Sequence, residues 1–381
     1  MAEKKTTRAQ QAREKSQASM DKPKKTPGTV KIRGVRKIKG QELPSFTQKL
    51  AAMLSAGLPL VECLAALQEQ TENPEFKKLV KSLRESVEGG KSFAEALQDY
   101  DYIFSELYIS MVRAGELGGS LAEVMERLAS YLESSAELKR KLKSALTYPV
   151  VVMILAGVLT VGMLIFIVPR FASIYDDFNA ALPGPTQMLV NVSDIMRQYT
   201  PFVIIAGIIL VIIFKKLLKT EQGSFQFDRF LLRVPIAGKL IGKIAMARMS
   251  RTFASLLRSG VPILKALDIV GKATGNKYLG RALSKCTNDI EGGATIASAL
   301  DGSKRFPPMV IHMVGAGEKT GDVDGMLEKV ADFYEGEVSS SLEALSSTIE
   351  PLLMALLGIV IGGIVLCMFL PIFKMHEIVG A

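Results

Sequence analysis

Apolar residues fall along this chain in two kinds of pattern. Over residues 46–67, Phe46, Leu50, Met53, Leu54, Val61, Leu64 and Leu67 recur mostly at three- and four-residue steps, as one buried face of a helix requires. Elsewhere the apolar positions run on unbroken: Val150–Val168 is 19 uncharged residues, Tyr199–Phe214 is 16 and Pro351–Phe373 is 23. A helix rises 1.5 Å per residue, so about 20 apolar residues cover a hydrocarbon core of roughly 30 Å. The first and third runs predict transmembrane helices. The second is short, but Lys215, Lys216 and Lys219 follow it and their stems can snorkel, so it predicts a span as well.

Turn chemistry divides the periodic stretches into short helices. Gly57 and Pro59 end one helix and start the next, Gly suiting a left-handed cap and Pro a first turn. Asn73-Pro74 breaks the chain again. Gly89-Gly90 precedes Ser92-x-x-Glu95, and Gly118-Gly119 precedes Ser120-x-x-Glu123; both are capping boxes that open helices. From Ser120 to Val168 only Pro149 intervenes, so a long helix is expected to run from a helical bundle into the bilayer with a kink at the membrane surface. Strands are scarce, and the expected fold is all-α with five or six helices per unit.

These patterns occur twice. At an offset of 203, Leu50 falls on Phe253, Gly57 on Gly260, Pro59 on Pro262, Gly89-Gly90 on Gly292-Gly293 and Leu97 on Leu300. One deletion near residue 102 changes the offset to 202. Thereafter Ala114-Gly115-Glu116 meets Ala316-Gly317-Glu318, Gly119 meets Gly321, Pro149 meets Pro351 and Pro169 meets Pro371. Repeats of 20–50 residues make solenoids; a period near 200 is a duplicated domain.

Charge assigns sides to the spans. Lys139, Arg140, Lys141 and Lys143 precede the first run, and Lys215, Lys216, Lys219, Arg229 and Arg233 follow the second. The segment between them holds only Arg170 and Arg197 against Asp176, Asp177 and Asp194. By the positive-inside rule both repeats are cytoplasmic and residues 170–198 lie outside. Lys374, after the third run, hints the other way, but parity with the first two spans outweighs one lysine. The resulting plan is a polytopic membrane protein with two repeated cytoplasmic helical-bundle domains. It reads as a basic tail 1–42, repeat one 43–148, span one 149–169, a periplasmic loop 170–198, span two 199–217, repeat two 218–350, span three 351–373 and a periplasmic tail 374–381. The N-terminus is then cytoplasmic and the C-terminus periplasmic.

The net charge of +9 is a local matter. Residues 1–40 carry 13 Lys/Arg against 3 Asp/Glu, so the rest of the chain sums to −1. That tail is poor in apolar residues and reads as disordered: a solvated segment, or one drawn to anionic lipid or an acidic partner. No aromatic residue interleaves its charges, which argues against nucleic acid. No apolar stretch follows Met1, so no cleavable signal peptide is expected. Cys63, Cys286 and Cys367 do not match between repeats and one lies in a span, which predicts no structural disulfide.

Catalytic chemistry finds little footing. In Gly315-Ala-Gly-Glu-Lys-Thr, Glu318 interrupts the Gly-Lys-Thr that a phosphate loop needs, and the first glycine required by Gly90-Lys91-Ser92 would fall on Glu85. His312 and His376 have no partner at metal-ligand spacing, and His312, amid Met and Val, is expected in the core. Intramembrane polar groups are almost absent, which counts against an ion or proton path. No enzyme, cofactor or metal is expected. The repeated Ala-Gly-Glu segments carry more weight. Glu116 and Glu318 either cap or face the following helix, or form an acidic contact for a partner or cation. Arg113 beside Glu116 would extend such a surface, whereas Gly315 takes its place in the second repeat.

The combination of a doubled Gly-[Leu/Val]-Pro, Gly-Gly about 30 residues on, Ala-Gly-Glu-x-x-Gly, and paired prolines bracketing a span resembles the inner-membrane platform family of type II secretion and type IV pilus machines. The external segment around Pro169-Arg-Phe and Ala-Leu-Pro183-Gly-Pro-Thr is similar too. The likeness spans about residues 43–375, and the basic tail departs from it. It implies a non-enzymatic scaffold of the bacterial inner membrane that contacts a cytoplasmic hexameric assembly ATPase through its helical domains. It also implies pilins or pseudopilins, other inner-membrane assembly proteins and further copies of the chain as partners.

Overall fold

The computed structural model of the chain describes residues 42–177 and 183–379; the basic tail, except Glu42, lies outside them. Every regular element among them is helical. Helices α1 Leu43–Ser55, α2 Leu60–Gln70, α3 Pro74–Glu88, α4 Phe93–Gln98, α5 Glu106–Leu117 and α6 Leu121–Gly162 form the first repeat. A π segment, Met163–Ile167, and α7 Val168–Asp177 continue α6. Then come α8 Gly184–Lys219 and α9 Glu221–Leu231. The second repeat is α10 Ala237–Arg258, α11 Ile263–Ala273, α12 Lys277–Glu291, α13 Ile296–Gly302, α14 Pro308–Thr320 and α15 Val323–Val379. Six helices thus answer six helices.

The chain divides into two compact units, the first ending at Met125 and the second beginning at Glu126. In the first unit the predicted face is buried at Phe46, Leu50, Leu64 and Leu67. These residues join a core of Phe76, Leu79, Leu83, Phe93, Leu97, Phe104, Tyr108 and Val112. Phe46 meets Phe76 edge to face at 5.4 Å between ring centroids, a favoured aromatic geometry. The Tyr108 hydroxyl is buried, and it shares a hydrogen bond of 3.1 Å with Thr47 Oγ1. Burial pushes the Tyr108 phenol well above its ordinary pKa, only partly offset by Thr47.

Local signals set the helix ends. Gly57 and Gly260 sit at φ +83° and +79°, the left-handed region where a Cβ would be strained. Gly90 and Gly293 do the same after α3 and α12, with Gly89 and Gly292 as the C-caps. Pro59 and Pro262 are N-cap residues, one position ahead of the helices they open. Asn73 caps α3 by accepting from Glu75 and Phe76.

The second unit holds the long helices. α6 is 42 residues and passes through Pro149; α15 is 57 residues, about 85 Å, and passes through Pro351 and Pro371. The prolines therefore lie inside helices rather than at their ends. Residues 170–198, read from their polarity as a loop, are largely helical: α7 runs to Asp177 and α8 starts at Gly184, with Pro183 as N-cap. Polarity marks where an apolar run stops. A helix satisfies its own backbone and need not stop there.

Two helical stretches among the described residues, Leu121–Ser173 and Val323–Leu370, are long and apolar enough to cross a membrane. Only 6% and 17% of their most apolar windows are buried, so they are not the core helices of a soluble bundle. Val150, Ile154, Val158, Leu352, Leu356 and Ile359 face outward, an apolar surface that lipid satisfies and water does not. Leu164 and Val168 pack on Ile364 and Met368, with Leu189 and Met196 of α8 beside them. Where the π segment leaves carbonyls without their usual partner, the Ser193 hydroxyl donates to the Leu164 carbonyl. Thr186 likewise donates to the Cys367 carbonyl at 2.6 Å. Further along, Leu138 and Leu142 of α6 pack between Leu240 and Ile244 of α10 and Val338 and Leu342 of α15.

Candidate functional site

The Ala-Gly-Glu segments form the same construction twice. Glu116 lies near the end of α5, and its carboxylate accepts from the backbone N–H groups of Phe93 at 2.5 Å and Ala94 at 2.9 Å. These are the first two residues of α4. Ser92 Oγ accepts from the Glu95 N–H at 3.1 Å, and Glu95 Oε2 accepts from the Ser92 N–H at 3.2 Å. All four amides that open α4 are therefore satisfied, two by the capping box and two by a carboxylate from another helix. The negative charge also sits at the positive end of the α4 dipole.

In the second repeat Glu318 accepts from Ile296 at 2.5 Å and Ala297 at 3.0 Å, and Thr295 accepts from Ser298 at 3.2 Å. Ser298 stands where Glu95 does, so the reciprocal half of the box is missing. The glutamates thus cap helices that lie more than 20 residues upstream, not the helices that follow them. The glycine before each glutamate allows a close approach. A Cβ on Gly317 would come within 2.7 Å of the Val323 Cα, and one on Gly115 within 3.0 Å of the Val124 side chain. Gly119 and Gly321, at φ +68° and +78°, complete the turns into α6 and α15.

Arg113, one turn before Glu116, donates to Gln98 Oε1 at 2.7 Å and so reaches the far end of the helix that Glu116 caps. Gly315 holds this place in the second repeat and faces Ala297. His312 is exposed, contrary to the expectation of a core residue. The inward positions of α14 are Val310 and Val314, and a residue two steps from each points the other way.

The second repeat also carries an ion-pair ladder that periodicity in one helix alone does not reveal. Arg251 on α10 meets Asp332 at 2.5 Å and Glu335 at 2.9 Å, and Arg258 meets Asp324 at 3.0 Å and Glu328 at 2.5 Å. Lys243 meets Glu337 at 2.7 Å. Burial disfavours the Arg251 charge, but the hydrogen bonds it donates to Glu335 and Asp332 outweigh that and raise the guanidinium above its ordinary pKa. The matching signal is spacing: Arg251 and Arg258 are two turns apart, as are Glu328 and Glu335 on α15.

Among the described residues no three His, Cys, Asp or Glu side chains converge to hold a metal ion. The Cys63 and Cys286 thiols are buried, and burial pushes both up, Cys286 to about 11, which makes them poor nucleophiles. The arrangement offers chemistry of contact: each repeat is a helical unit whose short fourth helix is braced by a glutamate.

Known proteins place it. The family described as type II secretion system (T2SS), protein F matches residues 46–169 and again 249–371, which are the two repeats with their exit helices, and the chain belongs to that family. It is 41% identical to the type IV pilus assembly protein PilC of Myxococcus xanthus, over 91% of this chain and 84% of that protein. Identity to the type IV pilus assembly protein PilC of Thermus thermophilus is 44%, over 88% and 82%. The type II secretion system protein F of Vibrio cholerae is 30% identical over 91% and 85%.

Proposed function

We propose that this protein is the inner-membrane platform of a type IV pilus or type II secretion machine, a non-enzymatic part that couples a cytoplasmic assembly ATPase to filament assembly. The carrying observation is the doubled module in which a braced six-helix unit ends in one long helix whose distal part is apolar and outward-facing. Within the second unit, α15 is continuous from the bundle to its apolar half, a stiff connection between cytosol and lipid. The subunits moved are pilins or pseudopilins drawn from the bilayer, with other inner-membrane assembly proteins and further copies of the chain around them.

This reading includes a third crossing. Ile205, Ile208, Leu210, Ile212 and Phe214 on α8 are exposed apolar residues, and three lysines follow them. An even number of crossings between the repeats leaves both in the cytosol, with the C-terminus in the periplasm. Each repeat offers its own proposed contact for the motor, Arg113 and Glu116 in the first and Glu318 in the second, Arg113 being the asymmetric element.

Topology is tested with exposed single cysteines in a background lacking Cys63, Cys286 and Cys367. Asn191→Cys should react with an impermeant maleimide in intact cells, while Lys81→Cys and Ser284→Cys should react only after lysis. The coupling is tested by purifying the chain with its motor ATPase. It should alter ATP turnover by the motor and hydrolyse none alone; failure to associate or to change turnover sinks the coupling.

A further inference from the structure

Beside the ladder, the second unit contains a cleft of about 500 Å³ lined by Lys239, Lys243, Lys304, Arg305, Tyr278 and Tyr334, among others. Among the described residues no acidic side chain lines it. Only Lys243 is neutralised, by Glu337; neither Lys239 nor Lys304 has a carboxylate partner among the described residues. Lys304 is also the one non-glycine residue among them with a positive φ, +53°, at the left-handed position that follows the C-cap of α13. That backbone costs a lysine about 1 kcal/mol or more, where a glycine would bear no such cost. Arg305 is fixed beside it, with its guanidinium 3.9 Å from the Tyr278 ring centroid and a hydrogen bond of 3.0 Å to the Tyr278 carbonyl.

A chain of aromatic contacts ties the cleft to the end of the second apolar run. Phe214, the last residue of that run, meets Phe227 of α9 edge to face at 5.5 Å, and Phe225 of the same helix meets Tyr278 at 5.5 Å. Tyr278 is itself a wall of the cleft. The cleft therefore lies across α9 from where the apolar run ends, since Phe225 and Phe227, two residues apart, leave opposite sides of that helix. On α9 no residue is fully buried, and Phe230 is 65% exposed and Ile236, just beyond it, 71%. Basic residues before, on and after α9, namely Lys215, Lys216 and Lys219, then Arg229, then Arg233, complete a surface of the kind that rests on an anionic leaflet. The first repeat has no counterpart, since Tyr102 and Ile103 stand at the places of Lys304 and Arg305.

We infer that this cleft binds a phosphate ester, with Lys239, Lys304 and Arg305 as its cationic partners, and that the headgroup of an anionic phospholipid supplies it. The lipid source rests on the reading that α8 crosses the membrane with its lysine end in the cytosol; the phosphate chemistry does not. The test uses the full chain in neutral detergent, titrated with short-chain phosphatidylglycerol, short-chain phosphatidylcholine and glycerol phosphate. Lys304→Gly removes the charge and suits the positive φ, so it should fold at least as well as the parent; combined with Lys239→Gln it should weaken phosphatidylglycerol binding by roughly tenfold or more. Lys78→Gln with Lys81→Gln, on α3 of the first repeat, should leave binding unchanged. Stronger binding of phosphatidylglycerol than of glycerol phosphate assigns the site to lipid; equal binding assigns it to a soluble phosphate ester. No binding of either, or equal loss with the α3 variant, overturns the proposal. Labelling of Ser284→Cys in sealed cells would overturn the topology instead, and binding in detergent does not depend on it.

Discussion

The two repeats share a skeleton and differ in what is hung on it. Both place glycines at positive φ after their first, third and fifth helices, and both hold a short fourth helix with a glutamate from the fifth. They part in their first helices. α1 has 13 residues and buries Thr47 against the Tyr108 hydroxyl, whereas α10 has 22 and is tied to α15 by ion pairs from Lys243, Arg251 and Arg258. Gln48 and Ser55 stand where Arg251 and Arg258 do, so the first repeat cannot build the ladder. The retained parts are those that close backbone hydrogen bonds, which any copy of the module must do. The divergent parts are side-chain pairings that can be exchanged without altering the path of the chain.

The largest effects should come from the shared glutamates. Glu116→Ala or Glu318→Ala strands two amides at a helix start and removes two charge-assisted hydrogen bonds, a loss of about 3 kcal/mol. Because the geometries match, thermal unfolding in detergent should show nearly equal losses at the two sites. Unequal losses would break the equivalence of the braces. Arg113→Gln separates bracing from partner contact, since the one side-chain hydrogen bond of Arg113 among the described residues goes to the exposed Gln98. It should reduce filament output with protein abundance unchanged; wild-type output would remove Arg113 from the motor surface.

The ladder comes next. Arg251→Met should destabilise the second unit by about 2 kcal/mol, mostly through Glu335, because Asp332 is well exposed and its share is screened. Gln48→Met at the matching place should lie within about 0.5 kcal/mol of the parent. A double-mutant cycle pairing Arg251→Met with Glu335→Gln isolates the coupling. Additive losses would mean that the pair is a surface contact with no energetic role.

Much of this architecture is legible in sequence because its signals are local. Gly57, Asn73, Ser92 and Gly119 act within a turn of themselves, and the apolar runs need only be counted. What escapes is long-range or outward. Nothing around Glu116 announces that its carboxylate reaches the start of α4, so the capping reading finds the wrong helix. His312 looks buried beside Val and Met until helical phase is applied to Val310 and Val314. The helical stretch to Asp177 and from Gly184 is polar enough to pass for loop, since hydropathy reports solvent and not backbone. The ladder was visible only as equal spacing on two helices some 80 residues apart.

The smallest effect sharpens the comparison most finely, since it concerns a single hydroxyl in each core. Thr47 and Ser250 occupy matching, fully buried positions. Thr47 meets the Tyr108 hydroxyl, but Val310 replaces that tyrosine in the second repeat, and the Ser250 hydroxyl has no hydrogen-bond partner among the described residues. Thr47→Val should therefore cost about 1–2 kcal/mol, because it leaves a buried phenol unpaired. Adding Tyr108→Phe should recover much of that loss, since removing both partners is less costly than removing one. Ser250→Ala removes a polar group that gains nothing from burial, so it should be neutral or stabilise by up to about 1 kcal/mol. Opposite signs at equivalent positions are the expected result of thermal unfolding on the three variants. Equal destabilisation at Thr47 and Ser250 would mean that the second core satisfies its hydroxyl after all, and that the repeats differ less inside than their side chains suggest.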